Sequence, residues 1–339
     1  MKSLYLVAIA SLLFSCGGVK PIKVSEVEAL YFDYNEAENI NYGTTVNGRV
    51  MARLQHGKEY DVSNNKRLEF RSSDLNREDN SSNYTITKRP TNFNEDFASM
   101  TLVFSDKEET FSVADTVRIN FRGDLLIDCS GQDGADGIDQ KDKGSRIILR
   151  NGKDGEDGTN GEDGESTQNY TAYVWEEEGT KYVNIRNFAG DQNWKYKTVN
   201  GSKIKIDLSG GHGGDGGKGG DGGNGKRGKE KDGELIAPGD GGDGGNGGNG
   251  GNGGNAGTAT VYVHTNNQQL QSVISFNTSG GMSGRAGEAG LAGEAGDPLT
   301  GQAPGNPGVV GIPGVQGVAG TSSPSPTILL RDFNAEELK

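Results

Sequence analysis

The sequence predicts an all-β N-terminal sandwich followed by a six-helix polyglycine-II bundle with short β-strands at its base, and almost no α-helix. Three observations predict it. Residues 20–128 alternate apolar and polar side chains in short runs separated by Asn, Asp, Ser and Gly. Of the 57 glycines, 48 fall in three blocks, 131–164, 210–257 and 280–320, and they keep a spacing of three. The chain is otherwise poor in apolar residues, 31% hydrophobic with a formal net charge of −13, so a single large apolar core cannot order all of it. That acidity argues against nucleic-acid binding, which needs a basic footprint. Two cysteines cannot build a disulfide framework.

At the N-terminus, Lys2 is followed by an apolar run, Leu4 to Phe14, too short to span a bilayer, and by Leu13-Phe14-Ser15-Cys16. This resembles a bacterial lipoprotein signal. The resemblance implies that residues 1–15 are a removed signal peptide, that Cys16 receives diacylglycerol and fatty acyl (palmitate-type) groups, and that 16–22 form a lipidated tether. Two or more acyl chains hold a soluble body on a membrane where one does not. Gly17 is not the acidic residue that retains enteric lipoproteins at the inner membrane, so the resemblance implies the outer membrane, with cell-surface exposure left open. The alternative is an ordinary secretory signal cut near Ser15. No cofactor is expected beyond the lipid on Cys16.

Residues 23–124 read as a β-sandwich. Strands are expected over Ala29 to Tyr34, Arg49 to Leu54, Arg67 to Arg71, Asn83 to Thr87, Met100 to Phe104 and Thr116 to Phe121, each with apolar groups on one face. Six or seven short strands in about this length suit an immunoglobulin-like sandwich. Asp115-Thr116-Val117 fits a short O-glycosylation acceptor pattern, which a buried strand residue would equally explain.

Residues 125–333 form the glycine-rich part, with 334–339 a polar tail. In the middle block one register of glycines runs from Gly210 to Gly228 and a second from Gly239 to Gly257; in the third block the registers run from Gly281 to Gly296 and from Gly305 to Gly320. Equal arms about a short interruption predict hairpins. Strand-like segments bracket each block: Leu125 to Ile127 and Ala172 to Trp175, Ile204 to Leu208 and Thr260 to Val263, Val273 to Phe276 and Ile328 to Leu330. The connections Glu176 to Ser202 and His264 to Gln271 are expected to be turns at the end opposite the inter-arm loops, so that the chain goes out along an arm and returns beside it three times. A backbone of three residues per turn makes no internal hydrogen bonds, so its amides must find neighbours. Glycine at every third position lets a neighbour approach, and arms of seven triplets would reach roughly 65 Å. The Gly-Gly-x middle block predicts the central pair of arms, and the Gly-x-y third block a flank.

The pattern over 125–330 resembles the polyglycine-II bundles of springtail antifreeze proteins and of phage tail-fibre adhesin tips. It departs from the antifreeze type because Asp215, Lys218, Asp221 and Asn246 stand at positions expected to face outward, where an ice-matching face would use small residues. The adhesin resemblance implies recognition by distal loops. The candidate recognition residues are Ile147, Ile148 and Leu149 in the first loop, Lys229, Glu230, Lys231, Glu234, Leu235 and Ile236 in the second, and Asp297, Leu299 and Gln302 in the third. A disordered glycine-rich linker and a collagen-like triple helix remain as alternatives, the latter suggested by Gly305-Asn306-Pro307 and Gly311-Ile312-Pro313. A calcium β-roll also remains, since Gly210-Gly211-His212-Gly213-Gly214-Asp215 opens like its nonapeptide, though the period here is three.

No enzyme chemistry is expected. His56, His212 and His264 have neither metal-ligand nor triad spacing. Cys129 reads as a small buried apolar residue, and Glu176-Glu177-Glu178 as a solvated turn. Tyr173, Trp175, Tyr182, Phe188, Trp194 and Tyr196 form either packing at the base of the arms or a sugar-stacking platform. The expected function is a non-enzymatic cell-envelope lipoprotein, a structural or adhesive display. Expected partners are the membrane, through the lipid anchor, and a surface glycan or protein receptor; no nucleic acid partner and a monomeric state are expected. The alternative is an accessory subunit of an outer-membrane assembly, docked through the β-sandwich domain.

Overall fold

The computed structural model describes residues 22–78, 81–143, 151–199 and 203–339. The eight N-terminal strands form two antiparallel sheets. Strands β1 (Val27–Tyr34), β2 (Thr45–Leu54), β3 (Glu59–Asp61), β4 (Leu68–Arg71), β5 (Leu75–Arg77), β6 (Asn83–Ile86), β7 (Phe97–Ser105) and β8 (Thr110–Arg118) sort as β1-β2-β6-β5, with β3 beside β2, and β4-β7-β8. Alternation decides which face is buried. Val46, Val50, Ala52 and Leu54 on β2 and Ala98, Met100, Leu102 and Phe104 on β7 all turn inward. Thr116 lies on the exposed face of β8.

One polar cluster, centred on Lys88, closes this region. The Lys88 ammonium lies 3.6 Å from Asp74 and 3.3 Å from Glu95, and it donates to Phe97 O at 2.9 Å. Burial would raise both carboxyls. Hydrogen bonds from the Ser99 backbone and hydroxyl, with Lys88 adding its charge, nevertheless hold Asp74 below the ordinary carboxylate range. Bonds from Thr91 and Asn92, again with Lys88, do the same for Glu95. A depressed carboxyl contributes stability above its ordinary value and loses it as pH falls through the folded value. Urea unfolding between about pH 6 and pH 3 should therefore show stability falling with acid, with a shallower fall in Asp74→Asn or Glu95→Gln.

The rest of the described chain is built around six glycine arms, numbered in chain order: 131–143, 152–167, 210–228, 239–257, 280–296 and 305–323. Strands β9 (Leu125–Asp128), β10 (Tyr170–Glu177), β11 (Thr180–Asn187), β12 (Asn193–Val199), β13 (Ile204–Asp207), β14 (Lys229–Lys231), β15 (Glu234–Ile236), β16 (Ala259–His264), β17 (Ile274–Asn277) and β18 (Thr327–Arg331) complete the count. β9, β13 and β17 pair in parallel and lead into arms 1, 3 and 5. β10, β16 and β18 pair in parallel and receive arms 2, 4 and 6. One continuous apolar core joins these base strands to the N-terminal sheets, with Ile127, Ile206, Leu208, Val261 and Val263 fully buried. Where turns were expected at 176–202, β11 and β12 extend the sheet antiparallel from β10, and Thr265–Ser272 forms a 3-10 segment.

The expected six-helix bundle is corrected. Helix among the described residues is confined to three short 3-10 segments, Val24–Glu26, Thr265–Ser272 and Ala335–Glu337, and the regular structure is β-rich, in five sheets. The glycine arms belong to neither class. No backbone bond is made within an arm, and their N–H groups reach sideways to other arms. Spacing by three had suggested helices; the structure uses it for lateral bonding, so local hydrogen bonds define no helix.

Candidate functional site: the glycine arms and their distal end

At least every third residue of an arm donates to a neighbour, and in arms 3 and 4 both glycines of a triplet do so. Gly211, Gly214 and Gly217 of arm 3 donate to Glu165, Glu162 and Thr159 O of arm 2 at 2.9, 2.9 and 2.8 Å. Gly245, Gly248 and Gly251 of arm 4 donate to Gly220, Gly217 and Gly214 O of arm 3, while Gly284, Gly287 and Gly290 of arm 5 donate back to arm 4. Arm 3 is bonded to arms 1, 2, 4 and 5, and arm 4 to arms 2, 3, 5 and 6. The Gly-Gly-x arms are thus the central ones because a second bare position lets a second neighbour come close.

The non-glycine positions complete a second ladder. Asp133, Asp136 and Asp139 of arm 1 accept the N–H of His212, Asp215 and Lys218 at 2.6 to 2.7 Å. On arm 4, Asp243, Asn246, Asn249 and Asn252 accept the N–H of Val309, Ile312, Val315 and Val318 at 2.7 to 2.8 Å. Asn246 is exposed and Asp215 and Asp221 are half-buried, and all three have a further part as acceptors. Each accepts an N–H from the next arm, Arg285, Leu291 and Ile312 respectively, because a short side chain carrying an oxygen reaches a donor that glycine carbonyls leave unpaired. Lys218 has no acceptor oxygen and pairs instead with Asp221 at 3.7 Å. Asn246→Ala should cost about 0.5–1.5 kcal/mol in urea unfolding, the worth of one such bond, while Asn246→Asp stays near wild type.

The base strands set the register of these ladders. β9 and β13 pair at an offset of 79 (204 − 125), which is the offset of the bond from His212 to Asp133. β13 and β17 pair at 70 (274 − 204), and arms 3 and 5 at 70. β10 and β16 pair at 89 (259 − 170), and arms 2 and 4 at 89. Only the last pair slips: arms 4 and 6 run at 66, their strands at 67 (327 − 260). The additional residue falls in 322–326, which contains Pro324 and Pro326.

At the distal end, β14 and β15 form a hairpin whose central residues, Asp232 (φ 54°) and Gly233 (φ 81°), both lie in the left-handed region that a two-residue primed turn needs. Gly228 N–H donates to Asp297 O at 2.7 Å. Gln302 ties hairpin to loop: its Nε2 donates to Ile236 O at 2.9 Å, and its Oε1 accepts Leu299 N–H at 3.1 Å. Lys229, Glu230, Lys231, Glu234, Leu235 and Ile236 are thus brought beside Asp297, Leu299 and Gln302. The hairpin is largely exposed, Leu235 included. Ile147, Ile148, Leu149 and Cys16 lie outside the described residues. The signal for the hairpin was present in sequence as Lys231-Asp232-Gly233-Glu234.

Elsewhere the chemistry-bearing side chains are held by the fold. His212 Nδ1 accepts Met282 N–H at 2.8 Å, as a further rung of the ladder. His264 Nδ1 accepts Asn266 N–H, and its ring meets Phe333 edge-on. Burial pushes the Cys129 thiol up, away from thiolate chemistry. Trp175 is buried and stacked on Tyr182 at 5.3 Å, with Phe93 and Phe333 against its edges, and Tyr196 is buried against Tyr42. These rings pack, while Phe188 stands exposed. Glu176 and Glu177 lie on β10, and Glu178 (φ 48°) with Gly179 (φ 77°) turns into β11; Glu177 is paired with Lys339. Among the described residues no group of three His, Cys, Asp or Glu side chains is placed to hold a metal ion, and no helix is long and apolar enough to cross a membrane. Compared with known proteins, the chain matches no family model, no curated protein and no solved structure.

Proposed function

We propose that this chain is a non-enzymatic, lipid-anchored component of the cell envelope, in which stacked glycine arms act as a stiff display for the hairpin at 229–236 and the loop at 297–302. The observation that carries the reading is the double ladder. It fixes six arms through their own amides and hands that rigidity to a charged, exposed tip. The lipobox-like Leu13-Phe14-Ser15-Cys16 supports anchoring on the outer membrane, with the receptor a glycan or protein surface.

Two experiments test the two halves. Growth with an alkyne-tagged fatty acid should label the wild-type chain and not Cys16→Ser; equal labelling removes the anchor at Cys16. Replacing 229–236 by a two-residue turn should leave the protein folded and lower attachment of cells to glycan- or protein-coated surfaces. Unchanged attachment would show that the tip is no recognition element.

A further inference from the structure

We propose that arm 6 is where a second copy of this chain docks, side by side along the array. From residue 298 to residue 330 there is no charged side chain and no histidine, in a chain that is 24% charged. Within that stretch Val309, Val310, Ile312, Val315 and Val318 are 55 to 71% exposed. Among the described residues arm 6 bonds to arms 4 and 5, and two of the three positions in each triplet face outward. Its exposed surface is consequently an apolar stripe on a strongly acidic protein.

Charge selects the occupant. Two molecules of net charge −13 repel unless they meet where neither carries charge, and arm 6 is such an edge. The opposite edge, arm 1, presents Asp133, Asp136, Asp139 and Asp142. Stacking arm 6 on a neighbour's arm 1 would bury carboxylates against valines, so head-to-tail growth is disfavoured and a closed pair, arm 6 on arm 6, remains. The row facing out reads Asn306, Val309, Ile312, Val315, Val318, Thr321, apolar in the middle and polar at both ends, and so matches itself in either direction. The adjacent row contains Pro307 and Pro313, which lack the N–H that a seventh hydrogen-bonded arm would require. A lipid surface fits less well, because interfacial binding wants basic side chains around the apolar face, and the exposed row of the neighbouring arm 5 offers Glu288 and Glu294 against a single Arg285.

The test is sedimentation of the full chain carrying Cys16→Ser, which keeps acyl chains out of the readout. A dimer is expected. Ile312→Asp with Val315→Asp should give a monomer with an unchanged circular dichroism spectrum, since only exposed side chains change and their N–H bonds to Asn246 and Asn249 remain. Asp136→Asn with Asp139→Asn on the opposite edge should stay dimeric. Ile312→Cys with Val315→Cys should form an interchain disulfide on mild oxidation. A monomeric parent, a double aspartate variant that still dimerises, or absence of the crosslink overturns the proposal. Sedimentation of a monomeric parent with phosphatidylcholine vesicles would overturn it in favour of lipid.

Discussion

Gly248→Val is expected to destabilise the protein by several kcal/mol, on the order of the largest single-site effects, because the site has backbone where the side chain would go. An ideal Cβ at Gly248 would stand 2.0 Å from Thr159 O and 2.5 Å from Thr159 C of arm 2. The same residue donates to Gly217 O and accepts from Gly287 N–H, both at 2.8 Å. Moving one backbone away therefore weakens bonds to arms 3 and 5 as well. Flexible side chains could yield; carbonyl groups already bonded on other sides cannot. Val310→Ala, on the exposed edge, should change stability by no more than about 0.5 kcal/mol. Urea midpoints of the two variants against wild type measure the contrast, and a Gly248→Val protein as stable as wild type would remove close backbone packing from the account.

Deleting Ser209 is expected to have a larger effect, the loss of the stacked array with the base strands retained. The residue sits between β13 and arm 3, where the offsets of 79 and 70 pass unchanged from strand pairing into arm pairing. Its own carbonyl accepts Gly131 N–H at 2.9 Å and the Thr167 hydroxyl. Removing one residue shifts arm 3 by a third of its repeat against arms 1 and 5. Side chains such as Asp215 and Lys218 would then fall where only glycine fits. Many lateral bonds, each worth about 1 kcal/mol, fail together, whereas a point substitution at a ladder residue loses one. Proteolysis of the deletion variant should cut within 210–257 and spare 170–199. A variant as resistant as wild type would show that register is not set by the strands.

The arms, their pairing and the central place of the Gly-Gly-x block were legible because glycine spacing records where another backbone must approach. The strands bracketing them were legible from their apolar runs. Helical bundling was not a correct description, since a spacing of three specifies how often a neighbour comes near and not what the backbone bonds to. The side-chain ladder was missed at Asp215 and Asn246, although Asp and Asn recur there at a fixed place in each triplet; polarity alone does not distinguish a solvated group from an acceptor for the next arm. The segment 176–202 was read as turns, with Glu176-Glu177-Glu178 solvated, while Val183, Ile185, Trp194 and Tyr196 place a hairpin's inner face against the core. At the tip, Asp232-Gly233 carried a turn signal hidden inside a charged run.

The central claim is that amides of neighbouring arms, more than buried side chains, hold the six glycine arms together. Residue-resolved hydrogen exchange of the full chain tests it most directly. The account predicts that Gly213, Gly216, Gly245, Gly248 and Gly251 exchange as slowly as Val261 and Ile206 in the base strands. Exchange of those glycines at the rate of an unstructured chain, with the strands still protected, would contradict it.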